Sequence, residues 1–199
     1  MMHLPSCLII SILILGVLAA GCTGPSAPPS PQVPANTSLS SLALVPGDLP
    51  PGFTLVESRE KTSEDVGSLA RDLGWNGGYG TRYVLAGQEP GNVTTVLQSI
   101  ALYPEENVPA IAAEAESQDR AAFNQTAGNL TLPDLGTGSR GFSANVTTIP
   151  GAGLNNTSLQ VTEIILTKGK IFEVLRMSGP GADAASLIPI AEKAYAKIP

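Results

Sequence analysis

Leu159-Gln-Val-Thr-Glu-Ile-Ile-Leu-Thr167, then Lys168-Gly169, then Lys170-Ile-Phe-Glu-Val-Leu-Arg-Met177 is the stretch that decides the fold class. Two runs of strand-forming residues joined by a two-residue turn make an antiparallel hairpin. With Lys168-Gly169 as the turn, Ile165 faces Phe172, and Glu163 and Arg176 share a face as diagonal neighbours. A one-residue slip reverses that assignment.

Working outward, Thr81 to Gly87 and Val93 to Tyr103 form a second hairpin across Gln88-Glu-Pro-Gly-Asn92. Ser139 to Thr148 reads as a further strand, and Phe53 to Ser58 as the first one, after the turn cluster Pro46 to Gly52. Helical signals lie between them. Ser63 is read as an N-cap with Val66, Leu69 and Leu73 buried and Gly74 as the stop. From Glu105 to Phe123, Val108, Ile111, Ala112, Ala115 and Ala122 fall on one face, with Pro109 confined to the first turn. The chain closes on a helix whose face is Leu187, Ala191, Ala194, Tyr195 and Ile198, and Pro189 points to Ser186 as its N-cap. The expected fold is one α+β domain in the order β-α-β-β-α-β-β-β-α, an antiparallel sheet of five to six strands with helices packed on one face.

Upstream of the domain the composition changes. Leu8 to Ala20 is a 13-residue apolar run, which as a helix spans roughly 20 Å against a bilayer core of about 30 Å. That length and the small residues after it fit a signal peptide over residues 1–21. Leu18-Ala19-Ala20-Gly21-Cys22 resembles the lipobox of prokaryotic lipoproteins, which implies a lipid on Cys22 as the first mature residue. Cys7 lies in the leader, so no intrachain disulfide is expected. Residues 22–41 are a Pro/Ser-rich tether, whose stretch from Cys22 to Ser38 reaches roughly 50 Å when extended, and residues 42–199 form the domain.

Seven of the nine asparagines, Asn36, Asn92, Asn124, Asn129, Asn145, Asn155 and Asn156, match the N-glycosylation acceptor pattern. Chance alone predicts about one or two. A lipobox with so many sequons resembles archaeal surface lipoproteins, those of methanogens in particular, and implies a glycosylated exterior.

Composition excludes more chemistry than it suggests. His3 lies in the leader, so the expected mature chain has no histidine and no Ser-His-Asp, Cys-His or histidine-ligated metal site. No cofactor and no metal are expected. Seventeen acidic and 11 basic residues give a net charge of -6, and the scattered bases form no nucleic-acid footprint. Gly136-Thr-Gly-Ser-Arg-Gly141 fits G-x-G-x-x-G but runs into a strand, so it is read as a turn. Ser58-Arg-Glu-Lys61 fits S-x-x-K without the companion motifs of penicillin-recognising enzymes. Asp48, Asp134 and Glu163 lie among less polar neighbours, and no residue is assigned a catalytic role.

The most site-like segment is Gly74-Trp-Asn-Gly-Gly-Tyr-Gly80, leading to Arg82. Glycines allow close backbone approach, and Trp75 and Tyr79 each offer a flat face with one polar atom. Trp75, Asn76, Tyr79 and Arg82 are therefore the candidate ligand contacts. The sequence supports a lipid-anchored module on the extracytoplasmic face of the membrane, non-enzymatic, serving binding, sensing or envelope interaction. Its expected partners are the membrane through Cys22 and an envelope protein or glycan, with no nucleic acid. The alternatives are an envelope hydrolase with paired carboxylates, a secreted ligand-binding domain, or a transporter's capture subunit. The arrangement resembles small α+β envelope lipoprotein and sensor domains at the level of fold only.

Overall fold

The computed structural model describes residues 38–87, 92–123, 127–146 and 159–199. Cys22, Asn36, Asn124, Asn155 and Asn156 lie outside them. Seven strands form one antiparallel sheet: β1 Thr54–Lys61, β2 Gly78–Ala86, β3 Val93–Leu102, β4 Gly128–Asn129, β5 Arg140–Val146, β6 Leu159–Lys168 and β7 Ile171–Ser178. Their order across the sheet is β1-β2-β3-β7-β6-β5-β4. The strand beyond the expected six is β4, a two-residue pairing of Gly128 and Asn129 with Ser143 and Phe142.

The deciding hairpin forms, with its turn one residue later than expected, at Gly169-Lys170. Gly169 takes φ +54°, a left-handed value that glycine adopts readily and lysine does not. Ile165 consequently pairs with Val174 instead of Phe172, and Glu163 stands directly opposite Arg176.

Adjacent residues of a strand point to opposite faces. On β6, Ile164 and Leu166 pack with Leu187, Ile190 and Ala194 of helix α3, Ala184–Lys197. Ile165 packs instead with Val108, Ile111 and Ala112 of helix α2, Val108–Ala122. The expectation of helices on one face is thus corrected: α2 and α3 cover opposite faces. The physical reason lies in β6, where every residue from Val161 to Leu166 is buried, so both faces need a cover. Each large aliphatic side chain sealed this way contributes about 1.5–3 kcal/mol.

Helix starts also differ from expectation. α3 is capped by Asp183, whose carboxylate accepts from the Ser186 amide at 2.8 Å, and Pro189 sits inside the helix. The cap bond together with the burial of Leu187, Ile190, Ala191 and Ala194 offsets the backbone bond that proline omits. Ser63 opens only a 3-10 turn, Ser63–Asp65, because the Asp65 carboxylate closes on the Thr62 amide at 2.7 Å and Val66 is extended. The helix proper, α1, is Ser68–Asp72, and it leaves Leu69 40% exposed while Ala70 and Leu73 pack inward.

The segment from Leu39 to Leu49 lies against the α3 face. Its Leu44 amide donates to Gln98 Oε1 at 2.7 Å, and the Tyr83 hydroxyl donates to the Leu44 carbonyl. Lys197 fastens the same segment, donating to the Ala43 carbonyl at 2.8 Å and to Asp48 at 2.6 Å. Among the described residues no helix is long and apolar enough to cross a membrane.

Candidate functional site

The glycine-rich segment after α1 builds a groove, and its geometry follows from the helix cap. Gly74 adopts φ +82° and returns its amide to Arg71, while the Trp75 amide reaches Ala70 at 3.0 Å. A left-handed glycine at this point is the standard way to end a helix and turn the chain. The turn is then bolted to the end of β3: the Asn76 amide donates to the Leu102 carbonyl at 2.9 Å, and the Leu102 amide to Gly77 at 3.0 Å. A side chain adds a further link, Asn107 Nδ2 donating to the Leu73 carbonyl at 3.0 Å.

These bonds hold Trp75 against the cluster of Tyr103, Ile111 and Phe172 under α2. Tyr103 meets Phe172 edge-on, with ring centroids 6.1 Å apart, a favourable aromatic geometry. Burial raises the Tyr103 phenol above its ordinary pKa. The result is an open groove of about 490 Å³ with Trp75, Leu102, Tyr103 and Pro104 on its walls and Asn76, Glu105, Glu106 and Lys170 also lining it. Trp75 Nε1 is buried and has no hydrogen-bond partner among the described residues.

Of the four residues expected in the site, the groove brings together Trp75 and Asn76. Tyr79 and Arg82 are elsewhere, because β2 begins at Gly78: alternation turns Tyr79 to the α3 face, and Arg82, on the α2 face, lies further along the strand from the groove. Tyr79 lies on the α3 face, with its hydroxyl 2.7 Å from Ser58 Oγ. Arg82 is exposed on the other face and pairs with Glu57 at 3.3 Å. Tyr103, Glu105, Glu106 and Lys170 were missed by sequence reasoning. Lys170 reaches the groove through the register of the sheet, its carbonyl accepting from the Tyr103 amide at 3.0 Å.

The remaining constellations are structural in geometry. Arg176 Nη2 meets both Asp119 Oδ1 and Glu163 Oε2 at 2.6 Å. Two carboxyls therefore converge beside a small cleft, but Glu163 has no exposed surface and Arg176 lies between them. Burial pushes the Glu163 pKa up, as does Asp119 sharing the same guanidinium, against the downward pull of Arg176. Asp48, another acid singled out above, pairs with Lys197.

Ser58 and Lys61 point to opposite faces of β1, and Lys61 Nζ donates to Ser99 Oγ at 2.6 Å, so the S-x-x-K spacing assembles nothing. Gly136 to Gly138 line a wider groove of about 680 Å³, together with Arg140 and Lys168. Those two cations already bond Glu116 and the Ile198 carbonyl. Residues 137 and 138 form a turn into β5, as the sequence predicts. Among the described residues no group of three potential metal ligands converges. Asn92, Asn129 and Asn145 are exposed.

The fold and groove define a class: a three-layer α+β domain with a seven-stranded antiparallel sheet between α2 and α3. A solved structure shares that class. The extracellular domain of PknH from Mycobacterium tuberculosis superposes with a TM-score of 0.57 and 10% sequence identity, over 80% of this chain and 94% of that one. At such identity the likeness is one of fold. No protein-family model matches the chain, and a search of curated proteins finds no match.

Proposed function

We propose that this chain is a membrane-anchored extracytoplasmic lipoprotein whose α+β domain is a non-enzymatic binding module, carried from Cys22 on the Pro/Ser-rich stretch that precedes the docked segment starting at Leu39. The observation that carries the reading is the fold shared with an extracellular domain along four-fifths of the chain. A leader ending in a lipobox-like Cys22 agrees with it. The groove walled by Trp75 and Tyr103 is the contact site, because it is concave, aromatic and held by a bonded loop.

A carboxylate hydrolase needs two acids open to one cleft; Glu163 and Glu173 are sealed and Asp119 is tied to Arg176, so Glu105 and Glu106 on the groove are the pair that an envelope hydrolase, the second reading, would use. Expression of the full chain in a host that processes lipoproteins tests the proposal. Wild-type protein is expected in the membrane fraction with a lipidated Cys22 by mass spectrometry, and Cys22→Ser in the soluble extracytoplasmic fraction. Wild-type protein found unlipidated in the cytoplasm refutes it.

A further inference from the structure

We infer that the Trp75 groove takes an uncharged carbohydrate, the pyranose face lying on the aromatic wall and its hydroxyls on the polar lining. This deepens the binding reading and rests on it. The argument begins with the mixed charge of the lining. Glu105 and Glu106 stand on it with Lys170, so a ligand of either net charge meets a like charge at close range. A neutral polyol meets none, and its hydroxyls donate to the carboxylates and accept from the lysine and the Asn76 side-chain Nδ2.

The walls point the same way. Half-buried Trp75, Leu102 and Pro104 give the groove an apolar wall, with Tyr103 buried beside them, and such a wall suits the C–H face of a sugar ring. A peptide that binds by strand addition needs a free sheet edge. Here the end of β3 offers none, since both the amide and the carbonyl of Leu102 and the amide of Tyr103 are already bonded, to Gly77, Asn76 and Lys170. The loop is rigid before any ligand arrives, which limits the entropy lost on binding.

The chain holds a single tryptophan, so its fluorescence reports on this groove alone. Full-length protein is solubilised in a polyoxyethylene detergent, which carries no sugar headgroup, and titrated with chitotriose, maltotriose and mannotriose, and in parallel with trialanine. The expected result is a saturable change in Trp75 emission with at least one trisaccharide and none with trialanine. Asn76→Ala and Lys170→Ala, both at exposed positions, are expected to weaken that saccharide about 3- to 10-fold with the thermal midpoint unchanged. If trialanine saturates and no saccharide does, the ligand class is overturned while the groove remains a binding site. If neither changes the emission, both the carbohydrate inference and the groove as contact site fall.

Discussion

Replacing Glu173 by glutamine should flatten the pH dependence of stability on the alkaline side. Glu173 has no exposed surface and lies on the α3 face of β7. Its Oε1 accepts from Gln98 Nε2 at 2.7 Å, while Oε2 has no partner among the described residues. Burial is the main cause that lifts its pKa from 4.5 to about 7, partly opposed by the Gln98 bond and the charge of Lys197. A pKa raised on folding means that the native state holds the proton more tightly than the unfolded chain. The stabilisation is therefore complete below the unfolded value and is lost as pH rises to and through about 7. A rise from 4.5 to about 7 corresponds to about 3 kcal/mol.

Glutamine keeps the shape and the acceptor for Gln98 but cannot ionise. Its buried amide carries a cost that does not vary with pH, so the informative quantity is the change in the difference between the two proteins. Urea unfolding of wild type and Glu173→Gln at pH 5 and at pH 8 measures it. The variant is expected to gain about 2–3 kcal/mol on wild type between the two pH values. Glu163, also shifted upward, is present in both proteins and cancels. A difference that stays constant across this range would refute the reasoning, because it would mean that the Glu173 carboxylate is solvated or paired in the native state.

Two further outcomes follow from the same kind of accounting. Arg176→Met leaves Glu163 buried with neither oxygen paired, and should cost about 3–5 kcal/mol in chemical denaturation. The double variant Arg176→Met with Glu163→Leu should recover most of that, and a single variant as mild as a surface change would sink the assignment. Gly74→Ala forces a side chain into φ +82° with its Cβ 3.0 Å from the Pro104 ring. It should cost about 1–2 kcal/mol and shift Trp75 emission to the red, whereas an unshifted spectrum at unchanged stability would show that the cap does not position the indole.

Local chemistry made several features readable in advance. The Gly74 stop, Pro109 in the first turn of α2, and the turn at Gly136 to Gly138 each depend on residues close in sequence, and each formed as read. Trp75 and Asn76 share the groove for the same reason, being neighbours in one glycine-rich turn. Tyr79 and Arg82 left it because the backbone from Gly78 onward is a strand, which turns Tyr79 to the α3 face and carries Arg82 away along the sheet.

The sequence by itself determined an α+β chain: two hairpins, two amphipathic helices and the punctuation between them, all set by interactions spanning a few residues. It also yields the expectation of a leader and a tether, and it holds the sequons, all of them patterns of composition. Only the tertiary structure decided which face each helix covers, because β6 is apolar on both sides and its periodicity leaves the partner open. Packing likewise joined Asp119 of α2 to the Glu163–Arg176 pair, and brought Tyr103 and Lys170 to the groove of Trp75. Those contacts bridge elements distant in the chain, and their geometry is fixed by sheet register and burial, for which no short sequence pattern exists.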